Sequence, residues 1–173
     1  MTTDYVIRRA LAEELPTLVA IEHEAGLRFD AIPVINELSE VATSLETFQK
    51  AQRDGEVWVA ATTSDATPIG FAYTDVIDGA LHLEELDVLS AWGRRGIGRA
   101  LVETVVADAR ARKLSAVTLT TFRDVAWNAP YYVSLGFRVL ERHELTPGLV
   151  KLLAYEDVRG LPEKLRVVMR RDV

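Results

Sequence analysis

Apolar and polar positions change period several times along this chain, and each change marks an element. Tyr5 to Arg9 alternates as a strand does. From Ala10 to Ala25, Leu11, Leu15, Leu18, Ile21 and Ala25 fall near one helical face. Pro16 fits only near the start of that helix, where N–H groups lack partners anyway, and Gly26 is expected to end it. Arg28 to Thr43 follows no clear period and contains Pro33 and Asn36. It reads as a long loop holding at most a short helix, and such loops are often functional lids. Ser44 predicts the N-cap of a helix that carries Leu45, Phe48 and Ala51 and is closed by Gly55.

A meander follows. Glu56 to Thr62 is a strand, Ser64 to Pro68 a turn, and Ile69 to Val76 the next strand. Asp78-Gly79 is a two-residue hairpin signal, which makes Leu81 to Leu89 the antiparallel partner. Helical spacing returns at Leu101, Val102, Val105, Val106 and Ala109. Ala116 to Phe122 is a strand, and the helical crossover makes it parallel to the 81–89 strand. Asn128 and Pro130 start a short helix that Gly136 ends, and Phe137 to Arg142 is another strand. Thr146-Pro147 opens a helix with Leu149, Leu152 and Leu153 on its apolar face, ended by Gly160 and Pro162. Arg166 to Arg170 is the last strand. With no repeat, linker or low-complexity segment, residues 1–173 predict one α/β domain with a mixed sheet of about seven strands and helices on both faces.

The candidate chemistry centres on Leu83 to Val106, a strand, a turn rich in Arg and Gly, and a helix. The turn is Gly93-Arg94-Arg95-Gly96-Ile97-Gly98-Arg99. A helix start leaves N–H groups unpaired and carries partial positive charge. Glycines let an anion approach that backbone, and three arginines add charge. The expected ligand is a pyrophosphate. No Gly-Lys-Ser/Thr follows, which excludes a P-loop, and the glycine spacing is the reverse of the dinucleotide-binding fingerprint. The bland alternative is a helix start that uses glycine only for close packing.

Composition narrows the picture. Hydrophobic residues are 49 % and charged residues 27 % of the chain, a globular balance. No apolar run is long enough to span a membrane, and the N-terminus lacks a signal peptide's pattern. Cysteine is absent, which fits a cytoplasmic setting. The net charge of −6 argues against a nucleic-acid binder and mildly favours a cationic small substrate. His23, His82 and His143 are far apart in sequence, so no metal site is expected.

Three segments then stand in order: Leu86-Asp-Val88 with Arg95-Gly96-Ile97-Gly98-Arg99, the Val117 to Thr121 strand, and Tyr131-Tyr132-Val-Ser-Leu135-Gly136-Phe137. Together they resemble the GNAT superfamily of N-acetyltransferases. Its cofactor loop reads Gln/Arg-x-x-Gly-x-Gly/Ala, and a later short helix often ends Phe-Tyr-x-x-x-Gly-Phe. The resemblance implies a GNAT-like fold with a splayed central strand pair, and acetyl-CoA as donor. Its pyrophosphate would lie on the amides of Arg94, Arg95, Gly96, Ile97 and Gly98, with Arg99 beside them. Its pantetheine arm would pair with main-chain groups of Leu86 and Val88, as an added strand does. The match departs in two places. The family's leading Gln or Arg falls on Gly93 and its usual following Gly on Arg94. The place of an Asn often found before the Tyr is Val125, while Asn128 stands nearer, either as a cofactor contact or as a helix cap.

Acetyl transfer to an amine needs a base, because a free alkylamine has a pKa of about 10.4. It also needs oxyanion donors, expected at a strand N–H near Val88. A departing thiolate, whose thiol ionises at about 8.5, benefits from a proton donor. The resemblance puts Tyr132 in that last role. For the base, the resemblance points to Leu83-Glu84-Glu85-Leu86, where related enzymes often place a carboxylate facing the acceptor, so Glu84 comes first; His82 is second, since an imidazole's pKa near neutrality suits the task. Period two places His82, Glu84 and Leu86 on one strand face, opposite Glu85 and Asp87. The expected function is acetyl transfer from acetyl-CoA to a primary amine, on a small molecule or a peptide, by direct attack in a ternary complex. The alternative is a non-catalytic acyl-CoA-binding sensor or interaction module, and a nucleotide-binding regulator is a weaker third. Specificity is expected in residues 26–43 and 142–162. Apolar strand edges serve cores and homodimers alike, so a homodimer stays open.

Overall fold

In the computed structural model, which describes residues 4–32 and 42–173, seven strands form one open mixed sheet. They are β1 (Tyr5–Arg9), β2 (Val57–Thr62), β3 (Pro68–Ile77), β4 (Ala80–Val88), β5 (Ala116–Phe122), β6 (Arg138–Val139) and β7 (Arg166–Asp172). Their spatial order is β1-β2-β3-β4-β5-β7-β6. The helices are α1 (Leu15–Gly26), α2 (Leu45–Arg53), α3 (Ile97–Ala111), α4 (Ala129–Ser134) and α5 (Pro147–Val158). Most of the loop expected over 28–43, with Pro33 and Asn36, lies outside the described residues. Among the described residues, no helix is long and apolar enough to cross a membrane.

The chain divides into two compact units. The first is Met1–Thr74 with Glu85–Thr104. In it β1 runs antiparallel to β2 from Tyr5↔Thr62 to Arg9↔Trp58, and β2 runs antiparallel to β3 with a register slip between Ala60 and Ala61. Leu15, Leu18 and Ile21 of α1 and Phe48 and Ala51 of α2 pack with Val57, Val59, Ala61 and Phe71. The rings of Phe48 and Phe71 meet edge-on, with centroids 5.3 Å apart. Each large side chain buried this fully contributes about 1.5–3 kcal/mol. Ser44 caps α2 by accepting the Thr47 N–H at 3.1 Å. Two expectations shift here. Leu11 precedes the helix and is exposed, because the chain first makes a 3₁₀ turn at Ala12–Glu14. Gly26 does not end α1 in a left-handed cap: its φ of −62° keeps it helical, and the chain runs on into a 3₁₀ turn at Leu27–Phe29.

The second unit is Asp75–Glu84 with Val105–Val173. Asp78 and Gly79 have φ of 47° and 79°, the left-handed pair that a tight hairpin turn requires. The parallel register of β4 and β5 runs from Leu81↔Val117 to Leu83↔Leu119 and stops there, although β4 itself continues to Val88. β5 and β7 pair antiparallel over their whole length. Leu140, Leu149, Leu153 and Val168 form this unit's own core, with Ile77 and Leu145 against it. The strand expected over 137–142 shrinks to Arg138–Val139. The Glu144 carboxylate accepts the Glu141 N–H at 2.8 Å and pairs with Arg138, which bends the chain into a 3₁₀ turn at Arg142–Glu144.

Within the first unit β3 approaches β4 closely at Gly70. A Cβ there would lie 2.8 Å from the Asp87 carbonyl oxygen and 3.0 Å from Val88 Cγ2. The neighbour is backbone and cannot swing away. Gly70→Ala is therefore expected to destabilise the protein by about 1–3 kcal/mol, read as a lower midpoint in urea unfolding with unchanged slope.

Candidate functional site

β4 leads through a 3₁₀ turn at Ser90–Trp92 into the glycine-rich loop and then α3. The Trp92 N–H donates to the Leu89 carbonyl at 2.9 Å and the Gly93 N–H to Ser90 at 3.0 Å. The backbone then turns through left-handed φ at Arg94 (60°) and Gly96 (81°). The Gly96 carbonyl accepts the first helical bond, from the Ala100 N–H at 2.9 Å. The amides of Ile97, Gly98 and Arg99 thus belong to the first turn, where the helix supplies no acceptor. Ile97 is buried and anchors the turn, as Leu101, Val102, Val105, Val106 and Ala109 anchor the rest of α3. Arg94, Arg95 and Arg99 are exposed, and the Arg95 guanidinium lies 4.7 Å from the centre of the Trp92 ring. First-turn amides, a helix dipole and three exposed arginines together concentrate positive charge at this turn. Leu86 and Val88 are half-buried on β4, in the same unit.

The expected base residues lie on the part of β4 that belongs to the second unit. Glu84 is half-buried, and its pKa is pushed up to about 7 by burial first, then by the charges of Glu156 and Asp75, with Arg166 opposing. Its setting is a small network. Arg166 donates to Thr120 Oγ1 at 2.8 Å and to Glu156 Oε1 at 3.0 Å, and the Thr120 hydroxyl donates to the same carboxylate oxygen at 2.6 Å. Glu156 was reachable from sequence: it continues the Leu149 and Leu153 face of α5, so an acid sits on a buried stripe. Arg166 gave no such signal.

His82 differs from its expected role. It is fully buried, and its Nδ1 meets Thr118 Oγ1 at 2.9 Å. Burial first and the Arg166 charge second push its pKa down to about 3, so the ring stays neutral. A base must reach its proton, and this imidazole has no exposed surface to do so.

Tyr132 lies on α4, 9 % exposed, its ring edge-on to Phe137 at 5.7 Å and to Tyr131 at 5.4 Å. Gly136, with φ of 87°, turns the chain so that the Phe137 N–H bonds the Tyr132 carbonyl at 3.1 Å. Asn128 occupies the N-cap position of α4 but does not cap it with its side chain. Its Nδ2 donates instead to Thr121 Oγ1 at 2.8 Å, tying α4 to β5. Among the described residues, no group of three or more His, Asp or Glu is arranged to hold a metal ion.

The Acetyltransferase (GNAT) family profile matches residues 23–137, and the chain belongs to that family. It is therefore an acyltransferase whose general reaction is acetyl transfer. Solved structures with the same fold include the PaiA N-acetyltransferase of Thermoplasma acidophilum in complex with coenzyme A, at 17 % identity and a TM-score of 0.73, covering 99 % of this chain and 100 % of that one. Rv2747 of Mycobacterium tuberculosis, also in complex with CoA, matches at 20 % identity and a TM-score of 0.70, covering 97 % and 99 %. The ribosomal-protein-S18-alanine N-acetyltransferase of Escherichia coli matches at 21 % identity and a TM-score of 0.66, covering 98 % and 94 %.

The left-handed Arg94 of the glycine-rich loop stands where the family usually has glycine. An L-residue there costs about 1–2 kcal/mol, against about 0.5–1 kcal/mol for the extra freedom glycine loses. Arg94→Gly is expected to raise unfolding stability by several tenths of a kcal/mol, measured in denaturant without ligand.

Proposed function

We propose that this protein moves an acetyl group from acetyl-CoA to a primary amine by direct attack, with residues 1–173 working as one catalytic domain. The amides of Arg94 to Arg99 hold the donor's diphosphate, and the main chain at Leu86 and Val88 lines its pantetheine arm. Glu84 takes the proton from the incoming ammonium, directly or through water. The amine nitrogen then bonds to the acetyl carbon as the carbon–sulfur bond breaks. Tyr132 gives its phenolic proton to the departing sulfur, and the phenol recovers it from the new amide's nitrogen through solvent. Asn128 acts as a positioning residue, through its bond to Thr121. His82 holds the shape of β4 through Thr118 rather than moving protons.

The observation that carries this reading is a half-buried carboxyl, Glu84, on β4 beside the Thr120–Glu156–Arg166 network, where burial and the neighbouring acids push its pKa up to about 7. A base is most effective when its pKa lies near the working pH. It cannot be a mere surface charge, because burial is the leading cause of the shift. The cradle of loop amides supports the donor, since a helix start whose first-turn amides have no intrahelical acceptor suits a diphosphate.

A panel of primary amines assayed for acetyl-CoA-dependent release of CoA tests the reaction itself; a panel with no turnover would sink it. Because Glu84 must be unprotonated to act, kcat/KM is expected to climb as pH rises through about 7. Glu84→Gln should lower kcat by about 10²–10³ and erase that rising limb. The same shift has a stability sign. An acid whose folded pKa is raised from 4.5 to about 7 keeps its proton longer when folded, so its contribution to stability falls across that window. Glu84→Gln should therefore gain melting temperature relative to the parent at pH 8 and not at pH 4. Tyr132→Phe is expected to lower kcat by about tenfold or more while leaving acetyl-CoA affinity nearly unchanged. Unchanged turnover would remove the acid role.

A further inference from the structure

The chain enters the glycine-rich loop through a turn whose first amide has no acceptor of its own. Leu89 occupies the N-cap position of the 3₁₀ turn at Ser90–Trp92, and its aliphatic side chain cannot accept a hydrogen bond. The turn uses the Leu89 and Ser90 carbonyls for the N–H groups of Trp92 and Gly93, which leaves the Ser90 N–H to a partner from outside. That partner comes from α1. Glu24 Oε1 accepts the Ser90 N–H at 3.0 Å and the Ser90 hydroxyl at 2.6 Å. The two residues are 66 positions apart in the chain, so no local pattern announces the contact. Both bonds hold the Glu24 carboxyl below the usual carboxylate range.

Residues 88–90 are gripped from other directions as well. The helical φ of Gly26 carries α1 on into the Leu27–Phe29 turn, so Arg28 follows Glu24 by one turn. Its Nε donates to the Ala25 carbonyl at 2.9 Å, and its Nη2 reaches the Val88 carbonyl at 3.4 Å. From the sheet, the Ile69 carbonyl accepts the Leu89 N–H at 3.0 Å, and the Leu89 side chain packs against the first unit's core. The Ser90 contact passes directly into the loop. The Gly93 N–H bonds the Ser90 carbonyl, and a Cβ on Gly93 would lie 3.1 Å from that oxygen. Arg94, with its left-handed φ, comes next.

We propose that Glu24 is a positioning residue for the donor: by fixing Ser90 it fixes the turn that aims the amides of residues 94–99, and it thereby sets affinity for the diphosphate; this rests on the acetyl-transfer reading above. The sign of its effect separates this role from a plain charge effect. A carboxylate repels a diphosphate, so a Glu24 acting by charge alone weakens donor binding, and removing it tightens the complex. A Glu24 that holds Ser90 in place strengthens binding, and removing it loosens the complex. The acceptor oxygen carries the role, and a glutamine keeps that oxygen without the charge. Its contacts lie on the approach to the loop, so the bond-making step at saturating donor proceeds as before.

Isothermal titration of the full chain with CoA at neutral pH compares the parent with Glu24→Ala, Glu24→Gln and Ser90→Ala. Glu24→Ala is expected to raise Kd about tenfold, Ser90→Ala, which loses only the hydroxyl bond, about threefold, and Glu24→Gln less than about twofold. Adding Ser90→Ala to Glu24→Ala should cost little more than Glu24→Ala alone, because the hydroxyl bond is already gone. With an accepted amine, KM for acetyl-CoA should follow Kd while kcat stays within about twofold of the parent. A Glu24→Ala protein that binds CoA as tightly as the parent, or tighter, overturns the role, and so does a Glu24→Gln protein that loses as much as Glu24→Ala. A kcat that falls in step with affinity marks general damage to the fold and overturns it too. If Glu24→Ala does not fold, Ser90→Ala decides, and unchanged affinity there overturns the role. CoA affinity that follows the variants in a protein that acetylates no amine overturns the transfer reading and leaves Glu24 its role. Acetylation by a protein whose CoA affinity is indifferent to Glu24→Ala does the reverse.

Discussion

Glu84, Glu85 and Asp87 lie on a strand in the interior of a sheet, where water is too scarce to solvate three charges side by side. Strand alternation separates them, Glu84 to one face and the other two to the opposite face. Among the described residues, burial and neighbouring acids outweigh the cation that acts on Glu84 and the one that acts on Asp87. Glu84 has Arg166 opposing two carboxylates, and Asp87 has Arg28 opposing Glu22. The outcome on both faces is the same: carboxyls that hold their protons to unusually high pH. A core built from Phe48, Phe71 and the α1 stripe, and a second from Leu149, Leu153 and Val168, offsets the cost of keeping them there.

The proposed donor cradle draws on main chain as much as on the charges of Arg94, Arg95 and Arg99. What matters in the loop before α3 is where peptide nitrogens point, and that is set by φ at Arg94 and Gly96 and by the anchoring of Ile97. Gly70 belongs to the same logic. It lets β3 run so close to Asp87 and Val88 that no side chain fits between them at that point. A loop defined by backbone geometry accepts an arginine at a left-handed position where glycine is easier, because its side chain is exposed and, among the described residues, meets no packing neighbour that the turn depends on.

Much of this was legible in the chain itself. The α3 periodicity, the Asp78-Gly79 turn and the glycines that close α2, α4 and α5 all act through local sterics, which sequence records directly. The neighbours of β4 followed from the hairpin and the crossover, while the place of β7 between β5 and β6 did not. What sequence did not carry was the fate of individual polar side chains. Asn128 had every mark of a cap, yet Thr121, brought in by β5, competed for its amide. His82 had the right chemistry for a base and the wrong surroundings, because Thr118 and the sheet enclose it. β6 was cut short by Glu144, whose reach back to Glu141 and Arg138 no periodicity encodes. The partners of Glu84 come from α5 and β7, far along the chain, and only the buried position of Glu156 on its helix hinted at them.

Glu156 has a consequence for how such an enzyme diverges. It is the foremost charge acting on Glu84, and it is fastened in place by Thr120 and Arg166. The acidity at which Glu84 changes state is thus written partly into α5, a helix that makes and breaks no bonds. Exchanges at this helix position would let a descendant suit a more acid or more alkaline habitat with its reacting groups untouched.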